Sequence, residues 1–105
     1  MENEKRRHSR FAARLRVEIE HGEDKVSGHS HDLSLGGMFV ESWRTFPVGE
    51  KVIATLALPA LSAPARVECT VRWLIPGGMG LSFGDLGAAE TWAINQLAAQ
   101  QSPRR

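Results

Sequence analysis

From Arg14 onward, polar and apolar residues take turns: Arg14, Arg16, Glu18 and Glu20 alternate with Leu15, Val17 and Ile19. A period of two puts one set on each face of an extended chain, so this stretch reads as a half-buried strand. His21-Gly22-Glu23-Asp24 has the composition of a turn. The more polar stretch Val26 to Leu33 is placed to pair back as a hairpin. Gly36-Gly37 interrupts the chain before a short strand begins at Met38-Phe39-Val40. After a Pro47-Val48-Gly49-Glu50 turn comes Val52 to Leu58, continuous in its hydrophobicity. Its length and its flanking prolines, Pro47 and Pro59, favour a strand over a helix. Ala65 to Leu74 alternates cleanly, with Ala65, Val67, Cys69, Val71 and Trp73 on one face and Arg66, Glu68, Thr70 and Arg72 on the other. Trp73 is thereby expected to pack in the core beside Val71 and Cys69, and Trp43 is likewise read as a packing residue. Pro76-Gly77-Gly78 turns the chain into a last strand, Met79 to Phe83.

Five or six strands at roughly ten-residue spacing point to an all-β barrel or sandwich. The composition then changes. Ala88 to Gln101 is rich in Ala, Gln, Leu and Glu, and Leu86, Ala89, Ala93, Ile94 and Leu97 recur at helical spacing, with Pro103 beyond. A short amphipathic helix over an open end or edge of the sheet is the expectation. A length of 105 residues fits one domain, divided here into a basic arm (1–13), a barrel with its helix (14–101) and a tail (102–105).

Charge adds an asymmetry that the net value of +1 hides. Residues 1–16 carry six basic side chains against Glu2 and Glu4, a net of +4, which leaves −3 for the rest. A basic arm on a mildly acidic body invites an anionic partner, although a solvated charge run has the same composition. The charged N-terminus lacks the apolar stretch of a secretory signal, and no apolar run nears the ~20 residues of a membrane span. Cys69 is the single cysteine and has no internal partner for a disulfide. A reducing, cytoplasmic location without membrane insertion is the expectation.

Two clusters carry candidate chemistry: Arg6-Arg7-His8-Ser9-Arg10, and Asp32-Leu33-Ser34-Leu35-Gly36-Gly37. Arginine's planar fork matches the O6/N7 edge of guanine and the oxygens of phosphate, and its flat face stacks on a purine. A carboxylate such as Asp32 accepts from guanine N1–H and N2–H₂, or orients an arginine. Ser34 offers a hydroxyl, and Gly37 permits close backbone approach or a positive φ. The same Asp and Ser also suit an Asx or Ser turn. His29 and His31 lack the companions of a metal site, so no metal is expected. His31, Asp32 and Ser34 spell the letters of a hydrolase triad, but without a nucleophile elbow no catalytic residue is assigned.

The two clusters resemble the paired signatures of the PilZ family, an arginine, any three residues and an arginine, then Asp or Asn, any, Ser, any two, Gly. Arg6 and Arg10 match the first; Asp32, Ser34 and Gly37 match the second. The resemblance extends through Gly-Gly-Met-Phe-Val, the Pro-Val-Gly-Glu turn, Val71-Arg72-Trp73, Gly78 to Phe83 and the closing helix. It implies a six-stranded antiparallel PilZ-type β-barrel with a short C-terminal α-helix. It also implies a non-enzymatic receptor for cyclic di-GMP, with no cofactor, that orders its arm on binding and signals to a protein partner. Arg6, Arg7, Arg10, Asp32, Ser34, Gly36 and Gly37 are the expected ligand contacts. Asp32 and Ser34, two apart on a strand, are expected to share the outer face. The rival readings are a PilZ-like adaptor acting without ligand, and a nucleic-acid-binding small barrel. The acidic body, with no aromatic residues interleaved on exposed strand faces, speaks against nucleic acid.

Overall fold

Alternation does most of the folding work. The computed structural model describes residues 9–101. In it the inward residues of each strand, Val17 and Ile19, Val52, Ala54 and Leu56, Val67, Cys69 and Val71 among them, meet in one buried core. The elements are β1 (Phe11–Ala12), β2 (Arg16–His21), β3 (Asp24–Leu33), β4 (Gly37–Ser42), β5 (Lys51–Leu56), β6 (Ala65–Ile75), β7 (Gly78–Phe83) and α1 (Ala88–Gln101). The strands run β3-β2-β5-β6-β7-β4, every neighbour antiparallel, and β4 pairs back onto β3 to close a six-stranded barrel. Closure leaves the six strands without a free edge. β1 is a seventh, short strand on β3. Two-residue loops with a positive-φ glycine, Gly22 (64°) and Gly77 (84°), make the β2–β3 and β6–β7 hairpins.

The expected all-β barrel and C-terminal helix are both present. Helix α1 lays Ala93, Ile94 and Leu97 onto the barrel core and packs against β1, with Leu86 half-buried beside them. Ala89, expected on the buried face, is exposed. Full burial of one aliphatic side chain such as Ile94 stabilises by about 1.5–3 kcal/mol, and Ile94 and Leu97 are the large side chains through which the helix docks.

The boundary between arm and barrel differs from the expected 13/14. Phe11 and Ala12 pair with Leu33 and Asp32, and Ala13 is buried in the core, so residues 11–13 belong to the barrel. Buried Ser30 joins them to it. Its N–H donates to the Leu15 carbonyl at 2.9 Å. Its hydroxyl accepts from the Leu15 N–H at 2.8 Å and donates to the Ala13 carbonyl. One side chain thus bridges the backbone gap between β1 and β2. The tail 102–105 lies outside the described residues.

Candidate ligand-binding face

Two bulges decide what the barrel shows on one side. In the β3–β4 ladder Ser30 pairs with Val40, but the next pair is Asp32 with Phe39, so the register slips by one residue. Val26 and Ser30 point inward before the slip and Leu33 after it. His31 and Asp32 are therefore both left on the outside. The β6–β7 ladder slips in the same way between Val71 and Trp73. Trp73, expected in the core beside Val71, is turned out and is 45% exposed. An outer strand face does therefore carry an aromatic ring, contrary to the sequence reading that argued against nucleic acid on that ground. Trp43, also read as packing, is 81% exposed just past the end of β4.

After the slips, Asp32, Phe39, Gly80 and Trp73 stand in one cross-strand row over β3, β4, β7 and β6. Phe39 and Trp73 stack with ring centroids 5.2 Å apart and planes 10° from parallel. Glycines make the room for them. A Cβ on Gly80 would lie 2.2 Å from the Trp73 indole, and one on Gly78 2.2 Å from the Phe39 ring. The His31 ring meets Phe39 edge-on at 6.2 Å. Glu41 reaches two partners, with Oε1 3.5 Å from Arg14 Nη1 and Oε2 3.5 Å from His31 Nδ1.

Asp32 anchors the other end of the row. Its Oδ1 accepts from Arg10 Nη1 at 2.9 Å and from the Phe39 N–H at 3.1 Å. Among the described residues Oδ2 has no partner, so the carboxylate holds the arginine and can still accept from another donor. Ser34 does not share its face. It lies past the end of β3 and is 3% exposed. Its hydroxyl accepts from the N–H groups of Gly36 (3.0 Å) and Gly37 (3.2 Å), and its own N–H donates to the Gly37 carbonyl at 2.9 Å. That is a Ser turn, the use that the sequence left open for this residue. Gly37 is absent from the positive-φ glycines. What requires glycine there is close approach, since a Cβ would stand 2.1 Å from the Leu81 carbonyl oxygen across the β4–β7 ladder. The half-buried Gly36 accepts from the Phe83 N–H at 2.9 Å.

Of the expected site residues, the fold brings Arg10, Asp32 and the turn holding Ser34, Gly36 and Gly37 together. Arg6 and Arg7 lie outside the described residues. Phe39, Trp73 and the bridging Ser30 were not anticipated from sequence. The signal that could have found the aromatic pair is Gly78-x-Gly80, two glycines on one face of a strand, which leave space for rings reaching over from its neighbours.

No curated protein matches the chain. Among solved structures it is similar to the inhibitor of motility MotI/DgrA of Bacillus subtilis, at 23% identity over 89% of this chain with a TM-score of 0.75. This chain spans 49% of that one, about half its length. It is also similar to the PilZ domain of CeSA from a cellulose-synthesizing bacterium, with 20% identity, 88% of this chain, 96% of that one and a TM-score of 0.68. A third similar structure is the PilZ domain of YcgR from Escherichia coli with c-di-GMP, with 13% identity, 92% and 91% coverage and a TM-score of 0.70. The family model for the PilZ domain matches residues 4–100, and with nearly the whole chain covered, the protein belongs to the PilZ domain family.

Proposed function

We propose that this chain is a cyclic di-GMP receptor whose ligand lies on the outer face between the arginine arm and the Phe39–Trp73 stack. The observation that carries the reading is the Arg10–Asp32 pair at 2.9 Å, which joins the two family motifs on one face beside an exposed indole. A similar domain, that of YcgR, was solved with c-di-GMP, which supports the ligand class.

Each residue has a role set by its chemistry. Trp73 offers a flat surface for a purine. Arg6, Arg7 and Arg10 supply forks for phosphate oxygens and guanine O6/N7. Asp32 holds Arg10 and accepts guanine N1–H at Oδ2. Gly36 lets the ligand approach the backbone, while Ser34 and Gly37 contribute by fixing the turn rather than by touching it. No group acts on the ligand chemically: the protein binds, orders its arm from Arg10 back, and presents the altered surface to a protein partner in the cytoplasm. Ordering costs about 1–2 kcal/mol per backbone residue. A docked Arg10 lowers that cost by anchoring one end of the arm in advance.

Calorimetric titration with cyclic di-GMP, cyclic di-AMP, GMP and GTP tests this. Saturable binding of cyclic di-GMP in preference to the others is expected, because adenine places an N6 donor where an arginine needs an acceptor. Equal binding of cyclic di-AMP refutes base readout, and no binding at all replaces the receptor with the adaptor reading. Hydrogen exchange should show protection gained in residues 1–10 and around Asp32 to Gly37 when ligand is added.

A further inference from the structure

Arg72 belongs to neither motif, yet the fold delivers it to the same face. The bulge that turns Trp73 outward leaves Arg72 exposed beside it. Its Nε–H donates to the Ser82 hydroxyl at 3.0 Å. Ser82 in turn pairs with Gly37, the last residue of the second motif. Arg10, Arg14, Lys25, Arg44 and Arg66 each stand within reach of a carboxylate. Arg72, like Arg16 and Lys51, has no acidic partner among the described residues; of these three it is the chain neighbour of Trp73, and its Nη groups have no partner among the described residues. Asp32, the carboxylate of this row, is already held by Arg10.

We infer that Arg72 is a phosphate-binding residue of the ligand site, the counterpart of Arg10 at the opposite end of the row. The assignment rests on the receptor reading above. Arg10 meets the row at β3, and Arg72 springs from β6 at its other end and reaches back to Ser82 on β7. The exposed Trp73 indole, stacked on the buried Phe39 ring, lies between them. A base lying flat on the Trp73 indole puts its sugar-phosphate at the rim of the platform, where Arg72, the chain neighbour of Trp73, stands. The Ser82 hydroxyl is an uncharged acceptor, so its bond orients the guanidinium without compensating its charge. The two Nη donors and a full positive charge then await an anion, and a ligand with two phosphates supplies one for each end.

The test is calorimetric titration of the full chain with cyclic di-GMP, in the wild type and in Arg72→Ala, Arg72→Lys, Ser82→Ala and Arg72→Ala/Ser82→Ala. Arg72→Ala should weaken binding about 10- to 100-fold, the range for a charge-assisted hydrogen bond, with the ligand-free melting temperature unchanged because the side chain is exposed. Arg72→Lys should stay within a few-fold of wild type, since a point charge still meets a phosphate. Ser82→Ala should fall between, and the double variant should be no weaker than Arg72→Ala alone. Wild-type affinity in Arg72→Ala overturns the assignment. A lysine variant as weak as the alanine one overturns the phosphate role in favour of a base edge. Failure of the wild type to bind refutes the receptor reading itself, a result distinct from both.

Discussion

Replacing Ser30 with alanine should destabilise the ligand-free protein by about 2–4 kcal/mol, from the two buried backbone groups it leaves unpaired at about 1–3 kcal/mol each. Those groups are the Leu15 N–H and the Ala13 carbonyl. Both residues are buried, at 9% and 6% exposure, so water is poorly placed to take over. Other ties across the gap survive the change, since Ser30 N–H still reaches Leu15 O at 2.9 Å and Ala13 N–H reaches His31 O at 3.4 Å. The estimate therefore stays below the sum of two worst cases. Urea unfolding followed by tryptophan fluorescence measures the loss, with m unchanged if only the native state is affected. In a domain of this size the melting temperature should fall by roughly 10–25 °C. The gap also sets where Arg10 stands, three residues upstream of Ala13. Ser30→Ala should therefore weaken ligand binding as well, whereas Val26→Ala, a core truncation on the same strand, should lower stability alone. A loss below about 0.5 kcal/mol would refute the reasoning, because it would mean that neither backbone group depends on the hydroxyl.

Arg10→Ala should change the ligand-free melting temperature by no more than a few degrees, since a solvent-exposed ion pair contributes about 0–1 kcal/mol, yet weaken cyclic di-GMP binding at least about tenfold; a large thermal loss at unchanged affinity would make the arm structural. Gly37→Ala drives a Cβ to 2.1 Å from the Leu81 carbonyl oxygen, and overpacking of this kind costs about 1–3 kcal/mol or more; a circular-dichroism melt within two or so degrees of wild type would show that β4 and β7 part without penalty. Burial pushes the Cys69 thiol up from 9.0 to about 12, against a smaller opposing hydrogen bond from the Ala54 backbone. Above pH 9 the unfolded chain releases a proton that the folded chain keeps, so stability should fall as pH rises from about 9 toward 12. Cys69→Ala should remove that part of the slope, and parallel slopes for the two proteins would refute it.

The barrel was readable because its strands obey a simple rule. Leu15, Val17 and Ile19, or Val67, Cys69 and Val71, announce the buried face by alternation alone, and hairpin loops fall at glycines. The helix was readable for the same reason at a different period, although Ala89 went to solvent. An alanine gives up little apolar surface, so the pattern constrains it weakly. The two motifs were readable as letters, but their division of labour was not. Asp32 and Ser34 look equivalent at a spacing of two, and only the end of β3 at Leu33 sends one outward and the other into a buried turn.

What the alternation rule could not supply is the place where the rule breaks. A register slip carries no composition of its own: Ser30-His31-Asp32 and Val71-Arg72-Trp73 look like ordinary strand, and the extra residue is defined only by the partner strand it fails to pair with. Each slip flips the inward and outward sets beyond it. A barrel obeying strict alternation through Val71 would have buried Trp73 and left Arg72 pointing out alone. One obeying it through Ser30 would have put Asp32 in the core, where an unpaired carboxylate costs several kcal/mol. The core therefore selects the slip at Asp32, because the alternative buries a charge and exposes Leu33. The consequence of that selection is an acid, an arginine anchor and an aromatic pair on one face. Local departures from regular pattern mark functional sites when the surrounding structure compensates for them. Here the compensation is visible in Ser30 bridging the strands behind one bulge and in Gly80 making room for the indole beside the other.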